Sequence, residues 1–420
     1  MATRALIILA SLNLLDYLDR YLIASLGSLV KGEMHLSDRA FGFLGTAFFL
    51  VYFLSSPVFG YLGDRFGRIR LMAGGAVLWS LATSLTFWVT TYPTLVLARG
   101  LVGVGEGSFG TLAPAYLADL LPFNRRSRVL GFFYLALPVG SALAYLVGGL
   151  VGSKWGWRPA FLVAGIPGML LAALVLRLPV VGGVSQEPSA PAPSPKPSVP
   201  SPSLNHLTSL WTGARDLWRL PTLKRVTLGY GMITFTLGGL AFWMPRYLET
   251  AKGLEMAQAN YLLFGSVTVA GGLGILLGGY LGDRLQTYTL KAPLLVSGLG
   301  VVLSIPLAAL AIFASNPHFY IPGLVGAIFL LFLNPGVLTA VVVSVAGPLH
   351  RAQAVALNIV VIHLVGDVPS PFLIGWLADI SALKWGVSLT LLTLLLGAVL
   401  LFSAMPYLRH DLAAAGELKD

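Results

Sequence analysis

The chain of 420 residues is 56% hydrophobic and only 10% charged, and its mean hydropathy is +0.82. Soluble domains carry about 25% charged residues, so this composition excludes an ordinary soluble protein. The formal net charge is +10, and the absence of cysteine excludes disulfides and thiol chemistry.

Long apolar segments recur along the whole chain. A helix needs about twenty apolar residues to cross a bilayer, and only helices or closed barrels satisfy every backbone group in lipid. A barrel would show alternating strands of about ten residues instead. We therefore predict an all-α membrane protein with twelve transmembrane helices in two pseudo-symmetric six-helix halves. The predicted segments are 4–30, 40–62, 70–91, 94–121, 127–151, 158–178, 223–249, 257–281, 290–314, 318–346, 350–377 and 384–406.

The basic residues favour one side of this predicted topology. With the N-terminus inside, most lysines and arginines fall in cytoplasmic loops, as the positive-inside rule requires. The net charge therefore indicates membrane topology, and we expect no nucleic-acid partner. We predict a multi-pass protein of the plasma (inner) membrane with both termini cytoplasmic. The first apolar stretch is too long and too acidic for a cleavable signal peptide.

A Pro/Ser-rich stretch separates the two predicted halves. Ser185–Ser203 lacks hydrophobic periodicity and is typical of a flexible or polyproline-like connector. The following segment, Leu207–Leu220, is amphipathic and is expected to lie on the membrane surface. The expected domains are an N-terminal bundle (1–180), a cytoplasmic linker (181–221), a C-terminal bundle (222–408) and a cytoplasmic tail (409–420).

The hexapeptide GYLGDR occurs at Gly60–Arg65 and again at Gly279–Arg284. Both copies end the second helix of a half on the cytoplasmic side, which indicates an internal duplication. A weaker echo, GWLAD at Gly375–Asp379, ends the eleventh helix on the opposite side. This pattern fits inverted three-helix repeats within each half.

Several motifs resemble those of a known transporter family. GYLGDRFGRIR (Gly60–Arg70) and RGLVGVG (Arg99–Gly105) resemble two motifs of the major facilitator superfamily. The closer resemblance is to the Spinster family of lipid transporters, which has an Asn where this chain has Asp16. The stretches that carry it are NLLDYLDRY (Asn13–Tyr21), RGLVGVGEGSFGTLAPAYLADL (Arg99–Leu120), FYLALPVGSALAY (Phe133–Tyr145), FTLGGLAFWMP (Phe235–Pro245) and HLVGDVPSPFLIG (His363–Gly375).

The resemblance implies a secondary transporter that works by alternating access. In the superfamily, the Asp of the repeated motif faces the cytoplasmic start of a helix in the other half. A carboxylate there meets a positive helix N-terminus and basic side chains, and helps to hold the inside closed. The implied cytoplasmic gate residues are Asp64, Arg65, Arg68, Arg125, Asp283, Arg284 and Arg351.

Five charged residues fall at lipid depth in the first half: Asp16, Asp19, Arg20, Arg99 and Glu106. Each charge costs roughly 2.5–3.5 kcal/mol at a helix centre, so they must face one another or a watery cavity. One interpretation is a static ion pair that joins two helices. We favour a functional site in which Asp19, Glu106 and Asp16 couple protons while Arg20 and Arg99 contact an anionic headgroup.

The second half carries a deep pair, His363 and Asp367, four residues apart on one helix face. This pair is either a satisfied hydrogen bond at a packing site or a proton-linked gating pair. We predict that the cavity is lined by Tyr52, Tyr134, Phe242, Trp243, Asn358, His363 and Asp367. The run GEGSFG (Gly105–Gly110) lies inside a predicted helix and not after a strand, which excludes a dinucleotide site.

We expect no enzyme, because no nucleophile motif accompanies the deep charges, and no metal or cofactor. The expected function is proton-coupled, alternating-access transport of an amphipathic lipid (a lysophospholipid or sphingoid lipid). The expected protein is a monomer whose partners are membrane lipids, a lipid-like substrate and protons. A drug/proton antiporter or a small organic anion transporter of the same superfamily is the alternative. A non-transporting lipid-binding scaffold or sensor is the alternative from another class.

Overall fold

The computed structural model describes residues 2–120, 132–179 and 213–416, and within these ranges the regular structure is helical. The predicted all-α, twelve-helix class is confirmed. We number the long helices α1 to α12 in chain order. Their bounds are Ala2–Ser25, Asp38–Phe66, Arg68–Leu85, Tyr92–Asp119, Phe132–Trp155, Trp157–Val175, Pro221–Lys252, Met256–Gln286, Ala292–Phe313, Pro317–Gly347, Gln353–Ile380 and Leu383–Ala414.

Ten of these helices are long and apolar enough to cross a membrane among the residues that the structure describes. The two others are α1 and α4, which carry all five of the predicted deep charges. Their lower hydropathy follows from those charges. A cost of this kind is tolerated in membrane helices when the charged side chains face the bundle interior.

Residues at the helix ends explain where several elements begin and stop. The Ser37 hydroxyl accepts a hydrogen bond from the Ala40 amide (3.1 Å) and so caps α2. Gly67, with φ 89°, lets the chain turn sharply from α2 into α3. Gly347, with φ 69° and ψ 168°, interrupts a helical run from Asn334 to Ile362 and thereby separates α10 from α11.

Three helices contain a short π-helical stretch. These wider turns lie at Gly148–Gly152 in α5, Val267–Gly271 in α8 and His363–Asp367 in α11. Such turns are rare and appear frequently at functional sites. The third one coincides with the predicted His–Asp pair.

The two halves, α1–α6 and α7–α12, pack against each other at the end of the bundle that holds residues 26–39. We call this the packed end. Its core includes Phe41 of α2, whose ring centroid lies 4.9 Å from Phe242 and 5.6 Å from Trp243 of α7. Cross-half hydrogen bonds support it, such as Asn260 Nδ2 to the Ser25 carbonyl (3.0 Å). Contacts of this kind close the cavity between the halves at this end.

At the packed end, α2 and α11 touch backbone to backbone. A Cβ atom added to Gly42 would lie 2.2 Å from the Pro371 carbonyl oxygen, and one added to Gly375 would lie 2.4 Å from the Asp38 carbonyl oxygen. Only glycine permits so close a crossing. The two halves therefore meet here through main-chain surfaces.

A charged cluster reinforces the same end. The Asp379 carboxylate of α11 accepts hydrogen bonds from the Asp38 and Arg39 amides at the start of α2 (2.7 and 2.9 Å). The Asp38 carboxylate in turn forms ion pairs with Lys31 and with Arg246 of α7 (3.4 Å to Nε). One half thus caps a helix N-terminus of the other.

A short helix, Gly27–Met34, joins α1 to α2 and is fastened to α6. The Glu33 carboxylate accepts hydrogen bonds from the Arg158 guanidinium (2.5 Å) and the Trp157 indole (2.7 Å). The bond from Arg158 is the main cause that lowers the pKa of Glu33.

The predicted linker lies mostly outside the described residues, including its Pro/Ser-rich stretch. Of the predicted amphipathic segment, residues 213–219 are helical, and the Leu217 side chain is buried against the C-terminal half. The predicted domain bounds remain predictions.

Candidate functional site

The five deep charges of the first half form one buried cluster, with Arg20 of α1 at its centre. Its Nη2 donates to Asp16 Oδ2 (2.9 Å) and to Glu106 Oε2 (3.0 Å), and its Nε donates to the same Glu106 oxygen (3.2 Å). Asp16 is 2% exposed and Glu106 is fully buried. This network joins α1 to α4.

The other two charges lie beside this network with different partners. Arg99 donates to the main-chain carbonyls of Asp19 (3.4 Å) and Arg20 (3.2 Å). The Asp19 carboxylate accepts a hydrogen bond from the Thr83 hydroxyl of α3 (3.1 Å). One oxygen of Asp19 and one of Glu106 are buried without a hydrogen-bond partner among the described residues. Such oxygens are suited to hold a proton, because an ionised carboxylate there would be poorly solvated.

Aromatic rings surround the two guanidiniums. The Arg20 guanidinium lies 4.5 Å from the Tyr17 ring centroid and 5.0 Å from that of Tyr52. Phe48 stacks between both cations, 5.4 Å from Arg20 and 4.8 Å from Arg99. Cation–π contacts of this kind strengthen when water is excluded, so they help to stabilise charge at this depth.

A cavity of about 330 Å³ lies between the two halves next to this cluster. Its wall on the α1 side is polar and includes Arg20, Tyr17 and Tyr21. The opposite wall, formed by α8 and α10, is apolar. The residues of that wall are Leu263, Val267, Leu324, Ile328, Leu331 and Phe332. The cavity is therefore amphipathic, with Arg20 of one half facing an apolar wall of the other half.

His363 and Asp367 also border the cavity, from α11. Their side chains are 2.5 Å apart between Nδ1 and Oδ2, across the π-helical turn. Asp367 lies close to Gly238 of α7, where an added Cβ would be 2.1 Å from the carboxylate. The pair is thus held between two helices of the C-terminal half.

Only some of the residues that were predicted to line the cavity do so in the structure. Tyr52, His363 and Asp367 border it, whereas Phe242 and Trp243 lie instead in the core of the packed end. Their prediction as cavity residues is corrected for a geometric reason: the halves touch at their level, so no open space remains there. Asn358 (3% exposed) and Tyr134, which packs on Phe133, do not border this cavity. Neither do Asp16, Asp19, Arg99 and Glu106, which lie behind Arg20.

The predicted cytoplasmic gate is described only in part. The Arg68 guanidinium forms an ion pair with Asp119 at the end of α4, and Arg65 lies 3.5 Å from the Tyr61 hydroxyl. Arg284 and Arg351 are exposed. The side chains of Asp64 and Asp283, and the whole of Arg125, lie outside the described residues.

Sequence reasoning missed four tyrosines of the cavity wall: Tyr17, Tyr21, Tyr145 and Tyr230. A signal existed for two of them, because Tyr17 and Tyr21 lie four apart in the charged motif of α1 and therefore share a helix face. Lys31 and Arg246 of the packed end were also missed. Both pair with Asp38, which lies on a different helix from either of them, so no helical spacing rule links them.

Comparison with known proteins gives consistent relatives. A sequence profile described as Major Facilitator Superfamily matches residues 9–366. Protein spinster homolog 1 from Mus musculus is 34% identical over 405 residues, which is 91% of this chain and 74% of that protein. A bacterial homolog to the human lysosomal transporter Spinster, solved in an inward-facing and occupied conformation, superposes with a TM-score of 0.81 at 19% identity over 97% of both chains. A D-xylose–proton symporter gives a TM-score of 0.73 at 18% identity, over 95% of this chain and 97% of that one.

Proposed function

The chain belongs to the Spinster family of the major facilitator superfamily and is therefore a multi-pass membrane transporter rather than an enzyme, and from this premise we propose that it moves an amphipathic lipid with protons. The fold is one that works by alternating access. Lysophospholipids and sphingoid lipids are the proposed substrate classes. We further propose a monomer in the plasma (inner) membrane with both termini in the cytoplasm.

The observation that carries the lipid proposal is the unlike character of the two cavity walls. A charged or polar headgroup would meet Arg20, the tyrosines and the His363–Asp367 pair. A hydrocarbon tail would meet the wall of α8 and α10, where burial of each CH₂ group contributes about 0.8 kcal/mol. A second, apolar pocket of only about 20 Å³ shares Leu324, Ile328 and Leu331 with this wall and lies between α7, α9 and α10.

The proton proposal rests on the charge balance of the buried cluster. Three carboxylates (Asp16, Asp19 and Glu106) face two guanidiniums (Arg20 and Arg99), so the fully ionised cluster carries a charge of −1. One bound proton neutralises it. An uncompensated buried charge is costly, so binding of a proton or of a charged ligand changes the free energy of the cluster by a large amount.

Counterflow in proteoliposomes tests this function. Proteoliposomes that contain the purified protein and are loaded with lysophosphatidylcholine should exchange it for labelled external lipid. An imposed pH gradient should drive net movement of the lipid. Protein-free liposomes and Arg20→Ala protein are the controls. Exchange of cationic drugs or small organic anions in place of the lipid would favour the other transporters of the superfamily. Saturable lipid binding without any exchange would favour a scaffold or sensor.

A further inference from the structure

Arg20 is the cation of the cluster that reaches the cavity, and its donors are unevenly occupied. Glu106 of α4 takes two of its N–H groups through one oxygen, at 3.0 and 3.2 Å. Asp16 takes one, at 2.9 Å. Among the described residues, no acceptor bonds to Nη1. An anionic headgroup that enters the cavity would therefore approach a guanidinium that two carboxylates already share.

Asp16 and Glu106 hold Arg20 in different ways. Glu106 comes from another helix, and its two hydrogen bonds join α1 to α4. Asp16 lies on the same helix as Arg20, one turn earlier, and adds no link between helices through this bond. Its second oxygen, Oδ1, is buried without a hydrogen-bond partner in the described part of the chain. Removing the charge of Asp16 should therefore disturb the packing less than removing that of Glu106.

We infer that Asp16 determines headgroup specificity by competing with the anionic group of a ligand for Arg20. When Asp16 is ionised, Asp16 and Glu106 together place two negative charges on the single positive charge of Arg20. A phosphate monoester that approaches Arg20 is then repelled. A zwitterionic headgroup is disfavoured much less, because its own cation offsets the repulsion. The inference rests on the proposed function only in taking this cavity as the ligand site.

The charge balance gives the direction and rough size of the effect. With every group ionised, an incoming anion adds to a cluster that already carries a charge of −1. Charges about 6 Å apart in a partly solvated protein site interact strongly enough to change affinity by tenfold or more. Asp16→Asn keeps the size of the side chain and its hydrogen bond to Arg20, and removes only the charge.

The test compares two amphiphiles with the same tail, dodecyl phosphate and dodecylphosphocholine. The full chain is placed in lipid nanodiscs, and each affinity is taken from the concentration dependence of the thermal shift. We expect Asp16→Asn to bind dodecyl phosphate about tenfold more tightly and dodecylphosphocholine within twofold of the unchanged protein. Asp16→Glu, which keeps the charge, should behave as the unchanged protein does.

Glu33→Gln is the control, because it removes one negative charge that borders neither the cavity nor Arg20. Its gain for dodecyl phosphate should stay below threefold. An equal gain in this control, or an unchanged ratio of the two affinities in Asp16→Asn, overturns the inference. Asp16→Ser is a second neutral replacement, and if neither neutral variant folds, Asp16 is a structural ion-pair partner and the inference is wrong. Absence of lysolipid counterflow alongside the Asp16→Asn gain would refute the proposed lipid transport and leave this inference standing.

Discussion

Asp19 and Glu106 each have a carboxylate oxygen that is buried without a hydrogen-bond partner among the described residues. Neutral replacements of equal shape, Asp19→Asn and Glu106→Gln, keep the remaining contacts and remove the titratable group. We expect each to lower pH-gradient-driven lipid uptake by at least tenfold while the protein still elutes as a folded species. Uptake by both variants at the normal rate, with normal gradient dependence, would contradict their role in coupling. Glu33→Gln, which lies outside the cluster, is the control and should transport normally.

Glu33 has its own pH dependence, because its pKa lies below the ordinary value through the bond from Arg158. A lowered pKa means that the folded protein favours the ionised carboxylate. The stabilisation is present above the ordinary pKa near 4.5 and is lost as the pH falls through the lowered value. Half of the side chain is exposed, so we expect at most about 1 kcal/mol.

The measurement for Glu33 is the apparent Tm of the unchanged protein minus that of Glu33→Gln. This difference should be positive at pH 7 and should shrink toward zero at pH 3. A difference that stays constant across this range would mean that the Arg158 bond contributes nothing to stability.

At the scale of single residues, the sequence predicted that the deep charges meet but not how they pair. Arg99 and Glu106 are seven apart and share a face of α4, yet Glu106 bonds to Arg20 of α1. Helical spacing gives the direction of a side chain and not its partner on another helix. Thr83, which donates to Asp19, is a common residue in an apolar run and gave no signal.

The crossing of α2 and α11 depends on Gly42 and Gly375, which leave no space for a Cβ atom. Gly42→Ala or Gly375→Ala should separate these helices, at a cost of about 1–3 kcal/mol for overpacking. We expect both variants to populate the state open at the packed end more than the unchanged protein does. Distances between spin labels placed on α2 and α11 at that end would report the change.

Gly272→Ala in α8 is the control for this crossing, because an added Cβ there meets no atom within 4 Å. It should leave the distance distribution unchanged. The same distribution in Gly42→Ala, Gly375→Ala and Gly272→Ala would show that the crossing does not hold this end together.

The helices themselves were predictable from apolar segments, since lipid permits few other structures. Their irregularities were not. The π-helical turns of α5, α8 and α11 leave no composition signal, because they depend on tertiary packing. Phe242 and Trp243 were misplaced for a related reason: hydropathy does not tell at which depth two halves touch.

For the molecule as a whole, the inverted repeats place acids at opposite ends of the bundle. Asp379 caps α2 across the halves at the packed end. Asp64 and Asp283 lie in the last turns of α2 and α8, near the other end. Asp379→Ala should destabilise the state closed at the packed end by about 0.5–2 kcal/mol, the cost of a lost cap. Asp64→Asn and Asp283→Asn should favour opening at the opposite end by a similar amount.

Label pairs at both ends of the bundle distinguish these effects, and the cysteine-free chain makes site-specific labelling direct. Asp379→Ala should lengthen distances at the packed end only. Changes of the same sign at the same end in all three variants would contradict the inverted arrangement and would assign these acids to insertion or stability.

Arg20 and the apolar wall of the cavity belong to different halves, α1 on one side and α8 with α10 on the other. A bound amphiphile therefore acts as a bridge, with its head attached to one half and its tail to the other. The length of the amphiphile then determines whether it can contact both halves at once. A headgroup without a tail, or a tail without a headgroup, makes only part of the contacts that join the two halves. Such fragments should occupy the protein as inhibitors and not be carried across.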